Sequence, residues 1–296
     1  MNNKYSLLFN EISFVFECLL DKNYALIKGD TLSFLAYNSF GKRKYRDFDI
    51  LVSKRELNKI ERIIQFNGFE RKSINNDGSK IMPKLYSHQA MPLVKELTPG
   101  LFATLDLNFD IFWGEYEGKR VDIDEFLMDA VEMEIYGVKV KTLPPLKAMV
   151  QLVLHHYKDM NSIFLLATRN SIKYEMFKDV YYLLKSNLDE ISIEKLYAIS
   201  FEYEIIPYVF YVLYYTGQVF EDDVLKEYIE AFRTIEGEYL LDLYGLCEKE
   251  WKEWKVDFKT RLKSESLLSL IEEDLTDRDR RKIEINKRVF GEKSNE

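Results

Sequence analysis

Cysteine is nearly absent from this 296-residue chain. Only Cys18 and Cys247 occur, and they form no CxxC spacing. A thiolate zinc site therefore has no support, and Cys18, set in an apolar stretch, reads as a buried free thiol suited to a reducing compartment. Several signatures of chemistry are missing as well. The chain has no GxxxxGK[ST] phosphate loop, no GxGxxG dinucleotide turn, no HExxH helix and no GxSxG elbow. P-loop, dinucleotide-binding, zinc-protease and serine-hydrolase readings lose their anchor with them. Positive charge is in deficit: 42 basic against 50 acidic side chains leave a net charge of −8. That balance disfavours a protein built to coat nucleic acid, which needs a basic surface.

Long apolar runs are lacking too. The longest uncharged stretch, Ile205 to Phe220, contains Pro207, Gly217 and Gln218. It falls short of the roughly 20 apolar residues of a membrane span and is expected to be a buried helix. The opening MNNKYSLLFNEISFVFECLL has Glu11 and Glu17 inside its apolar run and no small-residue cleavage site after it, unlike a secretory signal. These features predict a cytoplasmic protein that makes no use of a membrane. What is present is ordinary for a folded chain, with 47% hydrophobic and 31% charged residues. The length allows one large domain or two modest ones.

The periodicities divide the chain. Tyr5 to Leu20 has helical spacing. Tyr24 to Lys28 reads as a buried strand that breaks at Gly29 into a helix running to about Tyr37. Asn38 to Lys44 reads as a loop, Tyr45 to Val52 as a strand, and Ser53 to about Asn67-Gly68 as a charged amphipathic helix with its stop. Lys80 to Tyr86, Met91 to Lys95, Phe102 to Trp113 and Glu134 to Thr142 are candidate strands. Pro144-Pro145 marks a boundary, and beyond it nearly everything to about Ser269 is helical in pattern. The expectation is an α+β protein: a front domain over 1–142 with a small mixed sheet, then an all-helical domain over 143–296. The charged tail from Glu272 is expected as a solvated helix or a partly disordered segment. Its basic cluster Arg278, Arg280, Arg281 and Lys282 is interleaved with acids and does not read as a nucleic-acid patch.

The informative constellation is acidic. In Arg46-Asp47-Phe48-Asp49-Ile50-Leu51-Val52, strand alternation turns Asp47 and Asp49 to one face and Phe48 and Ile50 to the other. Two carboxylates side by side repel unless a cation lies between them, and magnesium, which takes oxygen ligands, suits that place. An acid-x-acid pair is a common pattern here; Glu115/Glu117, Asp122/Asp124 and Glu202/Glu204 share it and read as solvated surface. Context separates Asp47/Asp49 from these. Upstream, the strand–Gly29–helix element offers backbone N–H groups to a phosphate. Lys42, Arg43, Lys44 and Arg46 add positive charge between the two elements. Downstream, Leu105-Asp106-Leu107-Asn108-Phe109-Asp110-Ile111 alternates, placing Asp106, Asn108 and Asp110 on one face. Asp106 is the candidate third ligand or general base. Fixed phosphates, metal carboxylates and cations together make phosphoryl-transfer logic.

Read as IKGDTLSFLAYNSFGKRKYRDFDILV followed by LDLNF, these residues resemble the DNA polymerase β-like nucleotidyltransferase superfamily. More narrowly they are similar to a bacterial, largely uncharacterised nucleotidyltransferase family with a KG…R…DxDxLV core. The resemblance implies a polymerase β-like nucleotidyltransferase domain that moves a nucleoside monophosphate from an NTP, ATP foremost, to an acceptor on a small molecule, peptide or protein. It implies Asp47, Asp49 and Asp106 as ligands of Mg2+ or Mn2+, with Lys28, Gly29, Asp30 and Arg43 at the nucleotide. VQLVLHHYKD and FKDVYYLLK resemble family elements that place His155 or His156, with Asp179, near the site; Asn108, His156 and Asp179 are the acceptor-side candidates. The chain departs from the pattern at Asp30, where a small residue is usual, and at Asn108, where histidine is usual. A second reading follows from those departures: a nucleotidyltransferase-fold module without turnover that binds a nucleotide, peptide or protein partner.

Overall fold

A computed structural model describes residues 3–45, 47–71, 88–168 and 171–290. Helix α1 (Asn3–Leu19) leads into β1 (Tyr24–Ile27), α2 (Gly29–Tyr37), β2 (Phe48–Val52) and α3 (Lys54–Phe66). Strands β3 (Glu70–Arg71), β4 (Leu93–Thr98) and β5 (Leu101–Asn108) follow, then the short α4 (Ile123–Phe126) and the hairpin β6 (Val131–Ile135) and β7 (Val138–Thr142). Among the described residues these seven strands form one mixed sheet in the order β3-β4-β5-β2-β1-β7-β6. β2 runs parallel to β5 and antiparallel to β1, and β1 runs parallel to β7.

Period-two alternation explains how this sheet is covered on both sides. Tyr24, Leu26, Phe48, Ile50, Val52, Leu105 and Leu107 pack on one face against the apolar stripes of α1 and α3, including Phe9, Phe16, Ile60 and Ile64. Ala25, Ile27 and Leu51 face the other way, into a second core built with the helices that follow. Those helices are α5 (Pro145–Asn161), α6 (Ile163–Thr168), α7 (Tyr174–Ser186), α8 (Ile193–Glu202), α9 (Ile206–Gly217), α10 (Asp223–Phe232) and α11 (Ile235–Leu241). α9 is the helix expected within Ile205 to Phe220, and Pro207 sits in its first turn, where a missing N–H is harmless. No helix among the described residues is long and apolar enough to cross a membrane.

The α+β class is borne out, and several details differ from expectation. β5 ends at Asn108, so Phe109 to Trp113 leave the sheet. Asp110 there accepts from its own neighbour Phe112 N at 3.0 Å and pairs with Arg120. β2 begins at Phe48, which puts Asp47 just ahead of the strand. The helical half also contains a two-stranded ribbon, β8 (Leu243–Tyr244) with β9 (Lys252–Glu253), before α12 (Phe258–Lys263), α13 (Leu268–Ile271) and α14 (Asp277–Phe290). Those strands are two residues each, too short for an alternation to register. The candidate strand Lys80 to Tyr86 lies outside the described residues.

Ile50 is wholly buried at the centre of β2. Ile50→Ala is expected to lower stability by about 2–5 kcal/mol through lost burial and the cavity left behind. A urea midpoint that falls while the slope stays constant is the corresponding signature.

Candidate active site

The chain turns sharply between β1 and α2. Lys28 lies at φ 60 and ψ −148, and Gly29 follows at φ +46. A non-glycine residue in that region carries about 1–3 kcal/mol of strain, which the surroundings must hold in place. They do so from two sides. The Lys28 carbonyl accepts from Thr31 Oγ1 at 2.7 Å and from Leu32 N at 3.0 Å. The Lys28 ammonium lies 3.0 Å from Asp49 Oδ1. The consequence is a tight strand-to-helix turn with Gly29 at the start of α2, whose first N–H groups have no intrahelical partner.

The carboxylates come together through sheet register. Asp49 on β2 is the direct partner of Asp106 on β5. Adjacent strands are about 4.8 Å apart, so the two side chains stand next to each other on the face toward the helical half. Asp49 is 9% and Asp106 7% exposed. Asn108, the next residue on that face of β5, donates from Nδ2 to Asp49 Oδ1 at 3.2 Å. Asp47 is half-buried at the mouth of β2.

The loop between α2 and β2 is held by two other buried carboxylates. Asp30 is 1% exposed and has both oxygens committed: Oδ1 accepts from Gly41 N and Oδ2 from Tyr45 Oη, each at 2.6 Å. It staples the loop and presents no bare charge to the turn at Gly29. Asp179 on α7 accepts from Arg43 Nε and from Tyr37 Oη, each at 2.7 Å. Arg43 thereby ties the loop to the helical half. Burial pushes the Asp179 carboxyl above its ordinary range, opposed by the Arg43 charge and by both hydrogen bonds. Burial and Asp179 likewise push the Tyr37 phenol up.

Helix α5 walls a chamber that Lys28 and Asn108, the two residues bonded to Asp49, also line. Gln151, Leu154, His155 and Lys158 recur at helical spacing, and together they wall a chamber with Lys28, Asn108 and His88. His155 Nε2 is 3.3 Å from Asp159 Oδ2 one turn on. Burial holds the His155 imidazole well below its usual range; Asp159 opposes this, and Lys28 and Lys158 add to it. Lys158 Nζ approaches His88 Nε2 at 3.4 Å. His156 is 4% exposed and belongs to the packed side of α5, so of the adjacent histidines His155 is the one at the chamber. Nothing local marks Gln151, Lys158 or His88, which reach the chamber only through tertiary packing.

The donor chemistry suits a hard divalent cation. Asp49 and Asp106 offer only oxygens, they stand in register, and a Lys28 ammonium already neutralises one of them. Among the described residues, no group of three His, Cys, Asp or Glu side chains converges as a preformed metal cluster. Asp47 would join Asp49 and Asp106 from the mouth of β2.

The Arg43–Asp179 pair makes a separate stability prediction. A carboxyl raised on folding contributes stability below its unfolded pKa and loses it as pH rises through the folded value. Arg43→Met leaves the Asp179 charge buried and uncompensated, an expected loss of about 3–5 kcal/mol at pH 7. It also removes the main opposing influence and raises that carboxyl further. Chemical denaturation at pH 7 and pH 5 should show the variant recovering part of its deficit at the lower pH, as Asp179 takes up a proton. A deficit equal at both pH values would contradict this.

Comparison with known proteins places the chain. No curated protein matches it. Among solved structures, the solution structure of antibiotic-resistance factor ANT(2'')-Ia is similar at 15% identity, over 69% of this chain and 95% of that one, with a TM-score of 0.38. A nucleotidyltransferase-like antigen from Paracoccidioides brasiliensis is similar at 15% identity, over 76% and 92%, with a TM-score of 0.41. A crystal structure of ANT(2")-Ia with adenylyl-2"-tobramycin gives 13%, 68%, 97% and 0.38 for the same quantities. The family profile described as "Uncharacterised nucleotidyltransferase" matches residues 4–221, most of the chain. The protein thus belongs to this nucleotidyltransferase family, as its IKG…DFDILV core led one to expect.

Proposed function

We propose that this chain is a metal-dependent enzyme that transfers a nucleoside monophosphate from ATP to an acceptor hydroxyl. The observation that carries the reading is the register of Asp49 with Asp106 on adjacent parallel strands, beside the strained Lys28-Gly29 turn. The turn and the first N–H groups of α2 seat the phosphates, and Lys28 supplies positive charge to them. Asp47, Asp49 and Asp106 hold Mg2+ or Mn2+, which when bound neutralises charge on the phosphates. The acceptor enters the chamber under α5, where Asn108 and His155 orient it. Its hydroxyl oxygen forms a bond to the α-phosphorus as the bond to the β-phosphate oxygen breaks, releasing pyrophosphate. Asp106 receives the hydroxyl proton. The acceptor is a small molecule, peptide or protein; the net charge of −8 makes nucleic acid the less suitable partner.

One observation favours a second reading. Lys28 already occupies Asp49 Oδ1, as in a site that needs no metal and binds a nucleotide, peptide or protein partner without turnover.

Thermal denaturation with ATP and Mg2+ separates these readings. At saturating ligand, an increase in melting temperature of several degrees is expected, lost on adding EDTA and lost in Asp49→Ala and Asp106→Ala. No binding of ATP at millimolar concentration sinks the enzyme reading. Binding with no transfer of label from α-32P-ATP to any acceptor favours the module.

A further inference from the structure

Lys28 stands where a metal would meet Asp49. Its ammonium lies 3.0 Å from Asp49 Oδ1, and Asn108 Nδ2 donates to the same oxygen at 3.2 Å. The two donors use both lone pairs of that oxygen. A metal on the other oxygen would still have the ammonium as a near neighbour across one carboxylate, and like charges repel strongly where water is scarce. The Lys28 and Asp49 side chains are only 16% and 12% exposed, so solvent screens little of that repulsion. Lysine and metal therefore compete for Asp49.

The two ends of Lys28 differ in freedom. Its backbone is fixed at φ 60, with the carbonyl accepting from Thr31 Oγ1 and Leu32 N. Its side chain is a flexible carbon stem that carries a compact charge. Two anionic positions adjoin that root. One is Asp49. The other is the phosphate seat at the start of α2, which begins at the next residue, Gly29. Arg43 is committed to Asp179 and Lys158 stands by Asp159, whereas Lys28 is the cation rooted in the turn itself. A phosphate at the seat thus competes with Asp49 for the ammonium. When nucleotide and metal arrive together, the ammonium passes to the phosphates and Asp49 is free for the metal. Metal alone has to evict an ammonium that gains no new anion.

We propose that Lys28 is a resident counter-ion that gates the metal site: it holds Asp49 until the phosphates of an incoming nucleotide draw it away, so the metal binds with the nucleotide and not before it. Nucleotide and metal then bind with positive coupling. The proposal rests on the nucleotidyl-transfer reading and adds to it the order in which the site fills.

The intact chain is titrated with Mn2+ alone, and the free ion is counted by electron paramagnetic resonance. Wild type is expected to bind it weakly. Lys28→Met keeps the carbon stem, removes the ammonium and should bind Mn2+ at least about tenfold tighter. Lys28→Gln is neutral but can still donate to Asp49, and it should shift in the same direction. Lys28→Arg keeps the charge and should stay within about twofold of wild type. Adding Asp49→Asn to Lys28→Met should abolish the gain, which locates it at that carboxylate. Calorimetric titration with preformed Mn2+–ATP should move the opposite way, with Lys28→Met binding at least about fivefold weaker than wild type. Tighter metal and weaker nucleotide in one variant are a pair of shifts that a loosened fold does not produce. Melting temperatures of the free variants check that each is folded. Equal Mn2+ affinity in wild type and both neutral variants overturns the gate, and so does a gain that survives Asp49→Asn. Mn2+–ATP bound as tightly by Lys28→Met as by wild type overturns the passage of the ammonium to the phosphates. In each of these cases wild-type binding of Mn2+–ATP leaves the nucleotidyl-transfer reading in place. Absence of that binding removes the reading and the gate with it.

Discussion

A carboxylate pair held almost wholly out of water cannot stand without positive charge, and Lys28 is where this protein supplies it. The ammonium on Asp49 fixes more than one charge balance. It holds Lys28 in a backbone region few residues adopt, and that conformation turns β1 into α2 within one residue. The same turn presents the first N–H groups of α2 beside the carboxylates. Strain, charge and strand register thus act on the same few atoms, which is the arrangement expected where geometry serves chemistry.

Around that centre the protein uses buried carboxylates in two distinct ways. Asp49 and Asp106 stand side by side on adjacent strands, with cation and amide donors next to Asp49. Asp30 and Asp179 have their oxygens committed to the α2–β2 loop and to the residues that anchor it. The loop carrying the cationic run is therefore an anchored segment: Asp30 secures it within the sheet half, and Asp179 fastens it to α7. Its Arg43 charge serves that anchoring, because a buried carboxylate on α7 would otherwise be left unpaired. The helical half also meets the site through α5, whose Gln151, His155 and Lys158 share a chamber with Lys28 and Asn108.

Much of this was legible in the chain. The strand–glycine–helix element, the Asp-x-Asp strand and the later Asp106 strand each declare themselves through short-range alternation, a property of neighbouring residues. The family resemblance rests on those same residues and is borne out. Other features were illegible for a physical reason. Asp30 looked like an unfavourable charge beside a phosphate seat, yet its partners Gly41 and Tyr45 lie 11 and 15 residues away across a loop. Arg43 looked like a nucleotide contact, and the carboxylate it meets is 136 residues along the chain. The extent of β5 was overestimated because Phe109, Ile111 and Trp113 continue the apolar alternation after the strand has ended, and packing buries them there.

By itself the sequence determined that Asp49 and Asp106 lie on strands, where the glycine turn falls and where strands give way to helices, since each follows from local periodicity. Tertiary structure alone decided that Asp49 meets Asp106 in register, that Lys28 bridges to Asp49, and that His155, not His156, reaches the chamber. Those facts depend on how distant segments pack, and on which buried charges find partners there. A period of two or 3.6 residues fixes the face a side chain occupies; it carries no information about what that face will meet.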